Sequence, residues 1–387
     1  MTHAGEEDIV LRFLHTADWH LGRRFRSFTQ EQELKLTRAR LDVLDRIFLA
    51  AERFAVNAVL CAGDLFDDPC PDAEWWEQVA ARLQKRKWKD RPVFLLPGNH
   101  DPLVPESVWA KDHKFRSLLQ DWVHVVDRND FEFGLPNNAV LYAVPCASKA
   151  GQRDPTEFIP KRAPGDDRIR IGMVHGSTFD VRDCQTNFPI AVDAAVSCGL
   201  DYLAIGDTHG FRFVPPDRVQ PPTVYPGTPE PTAFDEKDPG SVAVVLVNRQ
   251  RYATVKVERV ARWTWEETEV RTVDELRALA RRSDLGDRVL RLRVQMRVPA
   301  PVYEETEGLL EELEGTSARH GLVGVLELDR QGLELETNDV DAYCTDLPEV
   351  LQSTVRRLKT AADDPEQRQI AQRALFHLYQ VSRKRAS

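Results

Sequence analysis

The sequence predicts an α/β fold followed by a small α+β cap domain and C-terminal helices. Three observations carry this. From Leu11 to about Val260, short apolar strands alternate with polar helical stretches. The later strands of that span crowd together without long helices between them, so part of the sheet is expected to be mixed or antiparallel. After Arg262 the pattern changes to β-α-β-α-β. The expected domains are 1–262, 263–345 and 346–387.

In chain order, residues 11–14 and 58–61 are short apolar runs and read as strands. Between them 31–55 is a helix, because Leu41, Leu44, Ile47, Phe48 and Ala51 repeat at helical spacing. A second helix over 72–87 carries Trp75, Trp76, Val79 and Leu83. Lys85, Arg86 and Lys87 close it, where cations suit the helix dipole. Strands follow at 93–96, 140–144, 169–174 and 202–205, then at 224–225, 242–247 and 253–257. Residues 264–271 form a strand and 273–282 a helix, with Thr272 as N-cap. Residues 289–298 alternate Leu/Val with Arg, the period of a half-buried strand. An acidic helix at 303–320 and a strand at 323–328 complete this domain. Residues 346–387 read as two helices broken near Asp363-Asp364-Pro365.

Bulk composition removes several classes. No stretch approaches the roughly 20 apolar residues of a membrane span, so no membrane association is expected. The first eight residues are polar and acidic, with no apolar signal core; a cytoplasmic protein is expected. Cys61, Cys70, Cys146, Cys184, Cys198 and Cys344 include no Cys-x-x-Cys pair, which argues against a zinc knuckle. All six are expected to be small buried hydrophobes. The formal net charge of −10 argues against a surface coated with basic residues, but not against a local basic groove. The acidity is indeed local: residues 304–349 hold fourteen Asp/Glu and two Lys/Arg, whereas 354–387 hold three and eight.

Five stretches place metal-seeking side chains just after a strand. They are Asp18-Trp19-His20, Gly63-Asp64, Gly98-Asn99-His100-Asp101, His175-Gly176 and Gly206-Asp207-Thr208-His209. In open α/β sheets, ligands sit outside the carboxyl ends of the strands. Gly63, Gly98, Gly176 and Gly206 let the backbone turn tightly beside a metal or phosphate. Carboxylate, amide oxygen and imidazole together suit Mn²⁺, Fe²⁺ or Zn²⁺. Two such ions about 3.5–4 Å apart can share a carboxylate, lower the pKa of a water and offset charge on a phosphate. A histidine beside them can assist the leaving oxygen. Any one motif is more often a turn, a cap or a core histidine; five in series at strand ends make coincidence a poor account. Asp67, Asp68 and Asp101 are expected to cap or support the site. His113 and His124 are read as structural.

His15-Thr16-Ala17-Asp18-Trp19-His20-Leu21-Gly22, Gly63-Asp64-Leu65-Phe66-Asp67 and Gly98-Asn99-His100-Asp101 resemble the first three motifs of the calcineurin-like metallophosphoesterases. The first two are most similar to the SbcD-like DNA double-strand-break repair nuclease subunits. Tyr225-Pro226-Gly227-Thr228-Pro229-Glu230-Pro231, then Phe234-Asp235-Glu236 and Gly240, resemble that subfamily after its last metal motif. The resemblance covers about residues 11–250. It implies a two-sheet sandwich flanked by helices (αββα) and Mn²⁺-dependent cleavage of DNA phosphodiesters by metal-activated hydroxide, with Mg²⁺, Fe²⁺ or Zn²⁺ as other candidates. It implies that Asp18, His20 and His209 bind one metal, Asp64 bridges, and Asn99 and His175 bind the second. His100 would contact the phosphate and assist the leaving group.

By the same resemblance the partners are DNA and an SbcC-like coiled-coil ATPase, met through the C-terminal helices; a homodimer is left open. Ile370, Ala371, Ala374, Leu375, Leu378 and Val381 form an apolar helical face that either folds back or docks on that partner. Arg23, Arg24 and Arg26 line a nucleic-acid path or form a solvated loop, and Trp19 stacks on a base or packs beneath the site. Two other functions stay open: hydrolysis of small phosphoesters or cyclic nucleotides, and a non-catalytic scaffold with a weakened metal site.

One position departs from the family. Asp207 stands where Gly-His-x-His has an imidazole. A carboxylate there should favour Mn²⁺ or Mg²⁺ over softer ions. Metal titration of the wild type against Asp207→His checks this, and identical preference and affinity would sink the idea.

Overall fold

The computed structural model describes residues 8–86, 88, 90–178, 187–217, 220–316, 319–336 and 348–386. It divides into two compact units, Met1–Trp263 and Thr264–Ser387.

The first unit is built on two six-stranded sheets. One runs in the order β12 (Ala253–Arg259), β11 (Ser241–Asn248), β1 (Ile9–Thr16), β2 (Ala58–Cys61), β3 (Val93–Leu95) and β4 (Val123–Val125). The other runs β5 (Phe131–Leu135), β6 (Ala139–Ala143), β7 (Ile169–His175), β8 (Tyr202–Gly206), β10 (Thr223–Tyr225) and β9 (Arg212–Val214). The inner strands of both sheets are parallel, while β11, β12, β5 and β9 pair antiparallel. The sheets are mixed, as the crowded late strands suggested. The chain pattern did not reveal β5, although Phe131, Phe133 and Leu135 alternate.

Burial explains why the strands read as continuous apolar runs. Leu11 and Phe13 of β1 meet Ile171, Met173 and Tyr202 between the sheets. Leu14 points the other way, into Val43, Leu44, Ile47 and Phe48 of α1 (Gln30–Arg53) and Val79 and Leu83 of α2 (Ala73–Gln84). Both faces of the strand are therefore covered. A Thr29–Gln32 capping box starts α1. α3 (Lys114–Leu118) begins at His113, whose ring accepts from the Phe115 amide at 3.1 Å. α4 (Ala194–Ser197) packs with Ile190 on the outer face of the second sheet. The result is a helix–sheet–sheet–helix sandwich.

His124 stacks on Phe94, ring centroids 5.3 Å apart, so both histidines set aside as structural serve as cap and packing. Cys61, Cys146 and Cys198 are buried and free. Cys70 is not: it is exposed in a turn, its thiol donating to the Glu106 carbonyl. Cys184 and Cys344 lie outside the described residues.

Parallel register decides where the site forms. Thr16 pairs with Cys61, and Cys61 with Leu95, so β1, β2 and β3 end level. In the other sheet His175 pairs with Gly206.

The second unit holds a parallel sheet, β13 (Thr264–Val270), β14 (Arg288–Val298) and β17 (Val325–Leu335). α5 (Val273–Ala280) starts at Thr272 with a capping box to Glu275. α6 (Ala300–Glu314) stops before the expected 320, because Gly315 turns the chain at φ 81°. There β15 (Gly315–Thr316) pairs with β16 (Arg319–His320).

Two more helices follow, Glu349–Asp363 and Arg368–Ala386. Val355, Leu375 and Phe376 are buried with Leu290, Leu310 and Leu333. The C-terminal apolar face therefore folds back on its own unit. Ile370 does not belong to it, being 76% exposed, and the Val381 side chain lies outside what is described. Among the described residues no helix is long and apolar enough to cross a membrane. Leu375→Ala should destabilise this second unit by about 2–5 kcal/mol, read as a lower urea midpoint. An unchanged midpoint would show that the helix is not part of the core.

Candidate metal centre

The loops after β1 and β2 continue pairing beyond the strands. The Asp18 amide donates to the Gly63 carbonyl and the His20 amide to the Asp64 carbonyl, both at 3.0 Å. Trp19 points away between them, 1% exposed, its indole donating to the Thr16 hydroxyl. It packs beneath the site and is unavailable to stack on a base. Its carbonyl is held by the buried Arg40 guanidinium. Asp18, His20 and Asp64 have φ of 54°, 43° and 52°, a left-handed backbone that non-glycine residues seldom adopt.

Side chains from both sheets then converge. Ligand atoms of Asp18, His20 and His209 lie within 4.8 Å of one another, and so do those of Asp18, Asp64 and His175. The Asn99 side-chain oxygen lies 2.8 Å from His175 Nε2. Asp207 reaches within 3.9 Å of the same nitrogen, while its amide donates to Asp18. Its side chain faces the cluster. His100 sits at the edge, 43% exposed, its amide donating to Asp64 at 2.9 Å. All eight residues singled out from the sequence are thus gathered in one place.

Each buried imidazole is anchored through Nδ1. His20 is bonded to Asp67 at 3.1 Å, His209 to Glu236 at 2.7 Å, and His175 to the Ala62 carbonyl at 2.8 Å. This pattern orients a metal-binding histidine and leaves Nε2 for the ion. His20 Nε2 and His209 Nε2 stand 3.0 Å apart. Burial opposes charge on His209, yet Glu236 and Asp18 raise it, so a proton between the two nitrogens satisfies both, and a cation held by both would displace it. The donor set of carboxylates, imidazoles and one amide suits divalent metal ions.

Asp67 also lies 3.7 Å from His100 Nδ1 and 3.7 Å from Arg23. Asp101 accepts from the Gly98 and Phe66 amides and so shapes the loop. Asp68 accepts from the Cys70 amide. Sequence reasoning did not single out Glu236 or Thr232, whose amide donates to Glu236 at 2.9 Å. Glu236 was visible only within a family-like stretch, 27 residues from its histidine.

Space is as restrictive as chemistry. A Cβ on Gly63 would fall 2.1 Å from His175 Nδ1, and one on Gly98 2.1 Å from Asp64 Oδ1. One on Gly206 would fall 2.0 Å from the Ala62 carbonyl.

Burial and crowding set the charges. Burial raises Asp18 to about 7 and lowers His20 to about 4. Burial would raise Asp64 too, but facing His175 holds it below the usual carboxylate range. Burial opposes charge on His175, yet Asp64, Asp18 and Asp207 raise it to about 10. Both its ring nitrogens meet acceptors, which matches an imidazolium in the ion-free cluster.

The calcineurin-like phosphoesterase family model matches residues 11–211, the span that carries all eight of these residues. The uncharacterized metallophosphoesterase YhaO of Bacillus subtilis (strain 168) is 25% identical over 62% of this chain and 57% of its own length. The DNA double-strand break repair protein Mre11 of Methanosarcina acetivorans is 24% identical over 62% of this chain and 37% of its own. The SbcD component of the SbcCD nuclease of Rhodobacter capsulatus is 38% identical over 25% of this chain and 24% of its own. The chain thus spans little more than half the first of these relatives, and less of the others.

A cation entering the cluster at neutral pH must displace a proton that His175 would otherwise hold up to about pH 10. Metal affinity should therefore rise with pH, by up to about tenfold per unit for each proton displaced. Calorimetric Mn²⁺ titration between pH 6 and 8 checks this. Glu236→Gln should weaken binding about 10–100-fold at every pH. A pH-independent affinity in the wild type would contradict the assignment.

Proposed function

The chain belongs to the calcineurin-like phosphoesterases, and we propose from that footing that it is a two-metal phosphodiesterase acting on DNA, an SbcD-type nuclease subunit. The observation that carries this reading is the meeting of the two acidic–imidazole trios at Asp18. Asp18, His20 and His209 would hold one ion. Asp64, Asn99, His175 and Asp207 would hold the second, and Asp64 would serve both. When bound, the ions would supply an activated water and compensate phosphate charge.

The chain's own residues do the rest. Asp67 and Glu236 keep His20 and His209 turned inward. Trp19 and Arg40 keep the first loop from shifting. His100, the half-exposed imidazole at the edge, would contact a phosphate and give a proton to the departing oxygen. Mn²⁺ is the favoured metal, because three carboxylates make the cluster hard and anionic.

Relatives named as SbcCD nuclease components and Mre11 repair proteins support DNA as substrate. An SbcC-like coiled-coil ATPase is the proposed partner. It would meet the outward side of the C-terminal helices, where Val350 and Ile370 are 75% and 76% exposed. A cytoplasmic location fits that role.

Purified protein with Mn²⁺ should cleave single- or double-stranded DNA. His100→Ala should slow cleavage by about 100-fold or more, and Asp64→Ala should abolish it. Turnover of bis-p-nitrophenyl phosphate without DNA cleavage would move the reading to small phosphoesters. No metal-dependent turnover would leave a scaffold.

A further inference from the structure

A cleft of about 570 Å³ lies beside the metal centre, lined by Arg23, Arg24, Arg26, Asp68, Asp72 and Trp75. Asp67 lines it as well, and the same carboxylate anchors His20. Cleft and metal centre therefore share a wall. The volume is within the roughly 300–1,000 Å³ typical of small-ligand sites.

The arginines are displayed by an anchored segment. The Leu21 amide donates to the Leu65 carbonyl, and the Arg23 amide to His20. Phe25 is only 5% exposed, and its amide donates to Glu33 at 3.1 Å. With Phe25 held inward, Arg24 and Arg26 on either side of it are exposed. Neither pairs with a carboxylate among the described residues. Of the three acids in the cleft, Asp67 faces Arg23 and His20, Asp68 accepts from the Cys70 amide, and Asp72 precedes α2 with no side-chain cap bond. The two free guanidinium groups are suited to phosphate oxygens.

Trp75 supplies a different chemistry. Trp76 is buried, whereas Trp75 packs on the core from a half-buried position. Its indole lies against Gly22, where an added Cβ would sit 3.3 Å from the ring. Gly22 and Trp75 both line the cleft, and an indole that lines a cleft beside free guanidinium groups can serve as a stacking platform for an unpaired base.

We propose that this cleft binds a single-stranded nucleotide flanking the scissile phosphate, with Arg24 and Arg26 on neighbouring phosphodiesters and the base on Trp75. The inference rests on the DNA phosphodiesterase reading and names the form in which the substrate strand leaves the metal centre.

The test uses the full chain and a short fluorescein-labelled thymidine oligonucleotide in EDTA, with anisotropy followed across salt concentrations. The wild type should bind. Arg24→Ala/Arg26→Ala should flatten the slope of log affinity against log salt by about 1.4, near 0.7 per lost phosphate contact. Trp75→Ala should weaken binding roughly tenfold, and Trp75→Phe should restore most of it. Circular dichroism melting confirms that the variants are folded. No binding by the wild type, an unchanged slope, or full affinity in folded Trp75→Ala would overturn the proposal. If DNA is cleaved while these variants bind like the wild type, the cleft fails and the phosphodiesterase reading stands. If DNA is held through these residues but never cleaved, the cleft stands and the hydrolytic reading fails.

Discussion

Three carboxylates and three imidazoles share one largely buried pocket, and most of the first unit is arranged to keep them there. Unpaired charges in such a place are strongly unfavourable. Asp18, His20, Asp64 and His175 are nonetheless almost wholly buried. They are tolerated because each has a partner on its far side. Asp67, Glu236 and the Ala62 carbonyl secure the imidazoles, and the amides of His100 and Asp207 donate to Asp64 and Asp18. Remove one anchor and the imbalance reaches its neighbours, since the two trios have Asp18 in common.

The supporting layer extends well beyond the pocket. Thr228 donates to the Asp18 carbonyl, and Arg40 bridges the carbonyls of Trp19 and Glu230. The Glu230 carboxylate accepts from Arg46 on α1 and from the Arg262 and Trp263 amides. The end of the first unit is thereby tied, through buried polar groups, to the loop carrying Asp18 and His20. The polar interior behaves as a connected network rather than as separate pairs.

Much of this was legible in the chain. Parallel strands announce themselves as short apolar runs with helices between, and ligands cluster where such strands end. Asp18, Asp64 and His175 could therefore be named from local context. Glu236 could not, because its meaning depends on a fold that brings residue 209 beside it. Trp19 had two readings until the loop geometry turned its ring inward. The acidic helix expected to run to 320 stopped at Gly315, where a glycine of positive φ turns the chain. Cys70 was misjudged for a related reason: composition cannot separate a buried turn from an exposed one.

The left-handed backbone at Asp18, His20 and Asp64 sets stability against function. Such conformations cost on the order of 1 kcal/mol each in non-glycine residues, against a net stability of about 5–15 kcal/mol for a typical domain. The same positions bury polar groups, and at Asp64 a charge. Exchange for glycine or asparagine at these positions would relieve the backbone while removing the side chains that make the pocket. The stability of the first unit and the make-up of its pocket are therefore set against each other at these three residues.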